Sequence, residues 1–290
     1  MNQELLNAFE ANLRQINNPK RKLCRRWFGA VSAVSAFMGC TLRLRAKTFW
    51  GEVMTVVQPE VISSNLIGVG YYEEGLTRMV LECVKSGMIF FDIGAHFGYY
   101  TLLASRLVGD KGQVHAFEPS PTAFQILKLN AGKRNNVQLN PCAVFSKTET
   151  IFFNDFGPNL AAYNSLYAPR LEKEALEHLV TKKIPVKAIS IDDYVRSSGM
   201  SPDFIKIDAE SAEYEILLGA KDTLSKLPIL SMEVGDMGIE GAMPSKDLVL
   251  FLTALGYQPY HFSAGQLRAH EIRDKYTYDN LIFLPAGRFI

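Results

Sequence analysis

The chain has 290 residues, of which 48% are hydrophobic and 21% charged, with 21 Gly, 13 Pro and 4 Cys. This composition excludes a disordered, collagen-like or disulfide-scaffold protein and predicts one large globular domain with a small extension. The net charge of +1 is unevenly placed, because the first fifty residues hold nine Lys and Arg against two Glu. The cysteines lie far apart without zinc-binding spacing, so we expect reduced thiols and a cytoplasmic protein.

The N-terminal region joins these basic residues to an uncharged stretch between Arg26 and Arg43. A membrane-spanning helix needs about 20 predominantly apolar residues, and this stretch is shorter and rich in Ser and Gly. Apolar residues recur in it at helical spacing, at Val31, Val34, Met38 and Leu42. This spacing predicts a helix packed on the domain, and contact of residues 20–47 with a membrane surface is the alternative.

Residues 1–86 precede any regular alternation of strands and helices, so we assign them to an N-terminal extension or cap. Two strands are predicted in this extension, over residues 50–57 and 61–67. From residue 87 to residue 290 short apolar strands alternate with helices, which predicts parallel strands joined by crossovers. The predicted strands span residues 88–93, 113–117, 137–139, 184–189, 204–207 and 229–232. The predicted helices span residues 99–107, 121–133, 212–218 and 246–255.

The chain closes with strands predicted at 257–262 and 281–284 without a helix of normal length between them. Consecutive strands of this kind predict an antiparallel pair at the end of the sheet. Residues 154–183 are predicted as an insertion in a substrate loop, with a helix of its own over residues 171–179. The expected architecture is one doubly wound α/β domain with a mostly parallel sheet, a C-terminal antiparallel strand pair and an N-terminal extension.

A glycine-rich turn follows the first predicted strand of the domain. Asp92 ends the strand, and Gly94 and Gly98 bracket the turn into the next helix, which is typical of a nucleotide-type site. A dinucleotide fingerprint has a glycine two residues after the first, where this chain has His96. The charge of Asp92 would repel a pyrophosphate and attract a sulfonium. These features favour S-adenosylmethionine over NAD.

Carboxylates follow three further predicted strands. Glu118 ends the second strand, where a carboxylate accepts the ribose hydroxyls of an adenosine in many nucleotide sites. Asp208 and Glu210 follow the strand at 204–207, and Glu233 follows the strand at 229–232. Because parallel strands open their carboxyl ends on one crevice, we expect these acids to meet there.

Five motifs in order give the sequence a specific resemblance: FDIGAHFGYYT, HAFEPSP, FIKIDAESAE, PILSMEV and YDNLIFLP. The motifs lie between residues 91 and 285. From about Tyr71 to Pro285 the chain resembles the FkbM family of S-adenosylmethionine-dependent methyltransferases. The resemblance implies a Rossmann-like methyltransferase fold. It also implies O-methylation of a hydroxyl on a sugar, a glycan or a secondary metabolite.

The resemblance implies the cofactor contacts by position. The glycine turn would hold the methionine part, Glu118 the ribose, and Cys142 with Ala143 the adenine. The full predicted set is Asp92, Gly94, Ala95, His96, Gly98, Glu118, Pro119, Cys142, Ala143 and Asp208. The chain departs from the family at His96, where Asn is usual, and at Ser211, where Gly is usual.

Transfer of a methyl group to an alcohol requires removal of the alcohol's proton. Either a side-chain base accepts it, or a divalent metal ion lowers its pKa. The candidate catalytic residues are Asp208, Glu210, Glu233 and His96, and Asp208 with Glu210 is the candidate metal pair. The sequence does not choose between a base and a metal ion.

The expected partner is a small-molecule or glycan acceptor with a free hydroxyl. Its predicted contacts are Tyr72 and Glu74 in the extension and Tyr163, Asn164 and Ser165 in the insertion. Nucleic acid is not expected, because the strand end reads IDAE rather than D/N-P-P-Y and no basic face with interleaved aromatic residues is present. Two alternatives remain: an NAD-dependent oxidoreductase, and a non-catalytic module of the same fold that docks through its basic N-terminal arm.

Overall fold

A computed structural model describes residues 2–166, 182–236, 242–263 and 265–287. The helix predicted over residues 171–179 lies outside the described residues. In the part before the main sheet the elements are α1 (Asn2–Arg14), α2 (Pro19–Phe37), β1 (Leu42–Lys47), β2 (Val53–Gln58), α3 (Val61–Val69) and α4 (Glu74–Cys83). Strands β1 and β2 form an antiparallel hairpin in which Leu42 faces Gln58 and Lys47 faces Val53.

The strand predicted over residues 61–67 is wrong, because this segment is the helix α3. Both carboxylate oxygens of Glu60 cap the helix, accepting hydrogen bonds from the backbone N–H groups of Ile62 at 2.9 Å and Ser63 at 2.6 Å. The helix ends at Val69 and is capped by Gly70, whose φ of 81° is left-handed. The cap and the glycine terminator therefore override the strand preference of the β-branched residues.

The packed helix predicted from the spacing of residues 31–42 is also wrong in part. Helix α2 ends at Phe37 and Leu42 begins β1. Of the side chains predicted to be packed, Val34 is 57% exposed, Met38 65% and Leu42 38%. The opposite face of α2, which includes the buried Ser35, contacts the protein instead.

The first half of the α/β domain alternates strands and helices as predicted. Its elements are β3 (Ile89–Ile93), α5 (Tyr99–Val108), β4 (Gln113–Phe117), α6 (Pro121–Ala131), β5 (Val137–Asn140), β6 (Ala143–Val144) and β7 (Glu149–Asp155). A 3₁₀ turn, Pro158–Tyr163, follows β7.

The second half contains β8 (Lys182–Ile189), α7 (Ile191–Ser198), β9 (Phe204–Ile207), α8 (Glu213–Leu218), α9 (Lys221–Leu224), β10 (Ile229–Val234), α10 (Ser245–Ala254), β11 (Tyr257–Ser263), β12 (Gln266–Ala269) and β13 (Asp279–Pro285). The main sheet has the strand order β12-β11-β13-β10-β9-β3-β4-β5. Strands β10, β9, β3, β4 and β5 are parallel, whereas β13 is antiparallel to both β10 and β11. The predicted Rossmann-like methyltransferase fold and its C-terminal antiparallel pair are confirmed.

The segment at 184–189 was predicted to join the main sheet, and this prediction is wrong. It forms β8, which pairs with β6 and β7 in a separate three-stranded sheet. Along β8 the exposed Lys183, Pro185 and Lys187 alternate with the buried Val186 and Ala188. This period-two pattern is typical of a sheet with one solvated face, whereas all residues of the central strand β9 are buried.

The main sheet has a hydrophobic core on each face. Phe90 packs on one side, in a core that also contains Phe9 of α1 and Met79 of α4. Its neighbour Phe91 points to the other side, in a core that contains Leu217 of α8. The N-terminal extension therefore shares its core with one face of the main sheet. Among the described residues, no helix has both the length and the apolarity needed to cross a membrane.

Candidate active site

The turn between β3 and α5 is built on left-handed backbone. Gly94, His96 and Gly98 have φ values of 74°, 51° and 93°. A Cβ on Gly94 would lie 1.8 Å from the backbone oxygen of Asp208. Gly94 is therefore required both by its φ and by the direct packing of the turn on the end of β9.

Lys206 lies beneath this turn in β9 and holds it electrostatically. The lysine is 2% exposed, and its Nζ lies 3.4 Å from Asp92 Oδ1 and 3.3 Å from Asp208 Oδ2. It also donates a hydrogen bond of 3.1 Å to the backbone oxygen of Gly94. Burial opposes the charge of Lys206, but the nearby carboxylates of Asp208, Asp92 and Glu73 outweigh burial and raise its pKa.

Sequence reasoning missed Lys206, although a lysine inside the otherwise apolar strand Phe204–Ile207 was a usable signal. Asp92, which was predicted as a cofactor contact, is completely buried and does not line the cavity. Its Oδ2 accepts a hydrogen bond of 2.6 Å from Thr101. Asp92 therefore supports the glycine turn through Thr101 and Lys206 rather than lining the cavity.

Glu118, at the end of β4, is 5% exposed and opens on the same crevice. One oxygen accepts a hydrogen bond from the N–H of His96 at 2.8 Å, and the other accepts one from the N–H of Ser120 at 2.9 Å. Burial raises the pKa of Glu118 to about 7, because it outweighs these two hydrogen bonds. The carboxylate therefore titrates near neutral pH.

One cavity brings together most of the residues that the sequence predicts for the site. Those that line it are Tyr72, Gly94, His96, Glu118, Pro119, Cys142, Ala143, Asn164, Asp208, Glu210 and Glu233. Those that do not line it are Asp92, Ala95, Gly98, Glu74, Tyr163 and Ser165. Burial raises the pKa of the Cys142 thiol to about 11, so this part of the wall is uncharged at neutral pH.

Another part of the cavity lining is apolar and was missed by sequence reasoning. Ile151 and Phe153 of β7 line it, together with Ala161 of the 3₁₀ turn. The short run of β-branched and aromatic residues at 150–153 was the available signal for β7. The cavity therefore has an acidic end and an apolar side.

Three carboxylates define the acidic end. Oxygen atoms of Asp208, Glu210 and Glu233 all lie within 4.8 Å of one another. Glu233 lies on β10 and is 7% exposed. After β9 the chain turns through Glu210 and Ser211, with φ values of 46° and 80°. Ser211 thus keeps left-handed backbone at the position where the sequence departs from the usual glycine.

His96 belongs to the glycine turn and lines the cavity. Its ring centroid is 3.9 Å from that of Phe97. Burial lowers the pKa of His96, which keeps the imidazole neutral at neutral pH. Its Nε2 is buried and makes no hydrogen bond to any described residue, so this nitrogen can bond to a ligand.

Glu73 is half-buried beside Glu74, which was predicted to contact the acceptor, and neither side chain lines the cavity. Glu74 is exposed, whereas the carboxylate of Glu73 accepts hydrogen bonds from Tyr278, from Asn280 Nδ2 at 2.8 Å and from Tyr100 at 3.3 Å. Burial raises the pKa of Glu73, and the charge of nearby Asp208 raises it further. Asn280 pairs with Glu233 across β13 and β10, which places the YDN motif next to the acidic end of the cavity.

The turn after β7 supplies one polar group to the cavity. Asn164 Oδ1 accepts a hydrogen bond of 2.8 Å from the N–H of Phe156, and its Nδ2 is buried without a hydrogen-bond partner among the described residues. Backbone hydrogen bonds between Ser165 and Asn154 close the turn. Asn164 therefore lines the cavity, whereas Ser165, the other residue predicted from this turn, does not.

Comparison with known proteins agrees with this architecture. Residues 92–259 match the family model described as the methyltransferase FkbM domain. The chain belongs to the FkbM methyltransferase family. This match covers more than half of the chain, including the glycine turn, Glu118 and the three clustered carboxylates.

Three curated relatives are similar to this FkbM-family chain at modest identity. The hexuronic acid methyltransferase AglP of Haloferax volcanii is 26% identical over 163 residues, which cover 56% of this chain and 62% of the relative. The 31-O-demethyl-FK506 methyltransferase FkbM of Streptomyces tacrolimicus is 26% identical, covering 48% of this chain and 62% of the relative. The 2-O-methyltransferase NoeI of Sinorhizobium fredii is 25% identical, covering 57% and 71%. The chain thus spans 62% of the length of the first two relatives.

Proposed function

We propose that the chain transfers a methyl group from S-adenosylmethionine to a hydroxyl oxygen of a sugar, a glycan or a secondary metabolite. One observation carries the proposal. A single cavity is lined by the left-handed glycine turn and Glu118 at one side and by three clustered carboxylates at its acidic end. Nucleotide binding and proton removal are the two tasks that this reaction requires of the protein.

The residues present fit the cofactor. Gly94 presents backbone rather than a side chain, and the buried Glu118 can accept hydrogen bonds from ribose hydroxyls. Cys142 and Ala143 offer a neutral wall to the adenine. When bound, S-adenosylmethionine supplies a methyl group on a positively charged sulfonium, and the acidic end of the cavity complements that charge.

The clustered carboxylates and His96 are the groups that can take the proton of the acceptor hydroxyl. Asp208 is fixed at the end of β9 by Lys206 at 3.3 Å and by the hydrogen bond from its N–H to the oxygen of Ile93 at 3.2 Å. The neutral imidazole of His96 can accept a proton at its Nε2. Rate acceleration comes mainly from holding the acceptor oxygen at attack distance, with proton removal late in the transfer.

A divalent cation is the second way to activate the hydroxyl. The three carboxylate oxygens of Asp208, Glu210 and Glu233 are hard donors of the kind that Mg²⁺ or Ca²⁺ takes. Such an ion would lower the pKa of the acceptor hydroxyl. Loss of methyl transfer on chelation, with recovery on adding Mg²⁺, supports the ion. Activity that is unchanged by chelation supports a side-chain base.

The acceptor class rests on the relatives and on the cavity walls. AglP is named for a hexuronic acid, NoeI for a 2-O position and FkbM for 31-O-demethyl-FK506. The cavity of this chain combines the amide of Asn164 with the ring of Phe153 and the side chain of Tyr72. A polar group beside aromatic and apolar faces suits a sugar ring with a free hydroxyl.

Calorimetry tests the proposal directly. We expect S-adenosylmethionine and its demethylated product to bind the purified chain, NAD not to bind, and Glu118→Gln to weaken binding about tenfold or more. Transfer of labelled methyl to a panel of hexuronic acids, neutral sugars and hydroxylated macrolides then identifies the acceptor. Binding of NAD instead would favour an oxidoreductase. Cofactor binding without methyl transfer to any hydroxyl would favour a non-catalytic module.

A further inference from the structure

Helix α2 presents an apolar stripe to solvent. The exposed fractions are 70% for Leu23, 62% for Trp27, 57% for Val34, 94% for Phe37 and 65% for Met38. Leu23, Trp27, Val34 and Phe37 follow one another at spacings of four, seven and three residues, so they lie on one face of α2, and Met38 directly follows the last residue of the helix. Large apolar side chains are common singly on protein surfaces, but a stripe along one helix face indicates an interaction surface.

The inner face of α2 is held to the protein by polar side chains. Arg21 Nη1 donates to Asn12 Oδ1 at 3.1 Å, and Arg25 Nη2 donates to the backbone oxygen of Ile16 at 3.4 Å. Ser35 Oγ donates to the backbone oxygen of Gln58 in β2 at 3.4 Å. The usual orientation of an amphipathic helix is thus reversed, and these contacts hold the apolar face outward.

The surroundings of the stripe are basic. Lys22 and Arg26 are exposed on α2, and Arg43, Arg45 and Lys47 are exposed on β1. No Asp or Glu occurs between Glu10 and Glu52. Apolar side chains beside Lys and Arg, without acidic residues, match the chemistry of an interface between anionic headgroups and acyl chains.

We propose that α2 and the start of β1 bind the surface of an anionic phospholipid bilayer. The helix lies in the plane of the interface, with Trp27 and Phe37 below the headgroups and the basic side chains against the phosphates. A second copy of the chain is disfavoured as the occupant, because a symmetric contact would bring like charges together. This proposal does not depend on the proposed methyl transfer.

The surface is connected to the cavity. Thr41, between the stripe and β1, donates its hydroxyl hydrogen to Asn159 Oδ1 at 2.8 Å. Asn159 belongs to the 3₁₀ turn Pro158–Tyr163, whose Ala161 lines the cavity. The bilayer surface would thus adjoin an element of the active site.

Vesicle flotation tests the proposal with the full chain. The probes are phosphatidylcholine vesicles with about 30% phosphatidylglycerol and vesicles of phosphatidylcholine alone, in about 0.1 M salt. We expect binding to the anionic vesicles and weaker binding to the neutral ones. Raising the salt to about 0.5 M should weaken the anionic binding, since it screens the basic side chains.

Two matched pairs of substitutions separate the stripe from other surface apolar residues. Trp27→Ser with Phe37→Ser should weaken vesicle binding at least about tenfold. Leu129→Ser with Phe152→Ser is the control, because these side chains are 60% and 67% exposed elsewhere, and it should bind as the wild type does. Arg43→Glu with Arg45→Glu should remove the preference for anionic lipid. Thermal unfolding of each variant verifies the fold.

Three outcomes would overturn the proposal. The wild-type chain could fail to bind anionic vesicles, or the stripe variant could bind as tightly as the control variant. Alternatively, sedimentation equilibrium could show a wild-type dimer without vesicle binding that Trp27→Ser with Phe37→Ser converts to a monomer. The last result would assign the stripe to a second copy of the chain.

Discussion

Gly94 is the residue at which the glycine turn contacts the end of the carboxylate-bearing strand β9. We predict that Gly94→Ala abolishes binding of S-adenosylmethionine, because its Cβ would lie 1.8 Å from the oxygen of Asp208. Gly199→Ala is the matched control, since Gly199 has a similar φ of 73° and its Cβ would have no atom within 4 Å. The control should lose about 1 kcal/mol of unfolding free energy and keep cofactor affinity. Calorimetry and denaturant unfolding measure the two effects.

Lys206 joins two buried carboxylates and the glycine turn. Lys206→Met keeps the size of the side chain but leaves Asp92 without its cation, so we predict a loss of about 3–5 kcal/mol of unfolding free energy. Lys246→Met is the control, because the Lys246–Asp274 ion pair is solvent-exposed, and its unfolding midpoint should stay at the wild-type value. A Lys206→Met variant as stable as the wild type would show that the buried pair contributes nothing to folding.

Glu118 gives cofactor binding a pH dependence. The pKa of the carboxyl is raised from 4.5 to about 7, and only the ionised form accepts hydrogen bonds from both ribose hydroxyls. We therefore predict that S-adenosylmethionine binds more tightly as pH rises through about 7. Calorimetric titration from about pH 6 to about pH 9 measures this trend.

The raised pKa of Glu118 also makes the stability of the unliganded protein depend on pH, but in the opposite direction to cofactor affinity. Because the unfolded chain loses this proton near pH 4.5 and the folded chain near pH 7, the unfolding free energy falls as pH rises between these values. In Glu118→Gln both pH dependences should disappear. If they persist in the variant, another group is responsible.

At the scale of elements, the 3₁₀ turn Pro158–Tyr163 positions the adjoining Asn164 against the cavity. Asn164→Ala removes the buried Nδ2 donor, and we predict that KM for the acceptor rises about tenfold with little change in cofactor affinity. Tyr163→Ala is the control, since Tyr163 does not line the cavity. Steady-state kinetics with the identified acceptor, together with calorimetry for the cofactor, separate the two effects. An equal rise in KM for both variants would assign the effect to the turn's conformation.

Elements differ in how well the sequence predicts them. Strand β3 and helices α5 and α6 lie close to the predicted bounds, because apolar runs, glycines and Pro121 at the helix start are local signals. Residues 184–189 were predicted to join the main sheet but form β8 of the smaller sheet, and residues 61–67 were predicted as a strand but lie in helix α3. Strand pairing depends on distant segments, and the capping of α3 by Glu60 opposes the strand preference of its side chains.

At the scale of the whole molecule, the N-terminal extension and the main sheet share one core, so we expect them to unfold together. Phe9 of α1 is completely buried, with its ring centroid 4.9 Å from that of Phe49 and 5.2 Å from that of Tyr71. We predict that Phe9→Ala costs about 3–5 kcal/mol of unfolding free energy and keeps a single transition. Phe37→Ala, at a side chain that is 94% exposed, should cost less than about 0.5 kcal/mol. Two separate transitions in the wild type would contradict the shared core.

By itself the sequence determined the alternation of strands and helices, the glycine turn and the carboxylates at the strand ends. These features depend on local periodicity and on the rule that parallel strands open on one crevice. Only the tertiary structure placed Asp92 below the site with Lys206, and brought Glu73 rather than Glu74 to Tyr278 and Asn280. It also decided the outward direction of the apolar stripe on α2. The physical reason is that these outcomes depend on contacts between residues far apart in the chain, which the local spacing of residue types does not encode.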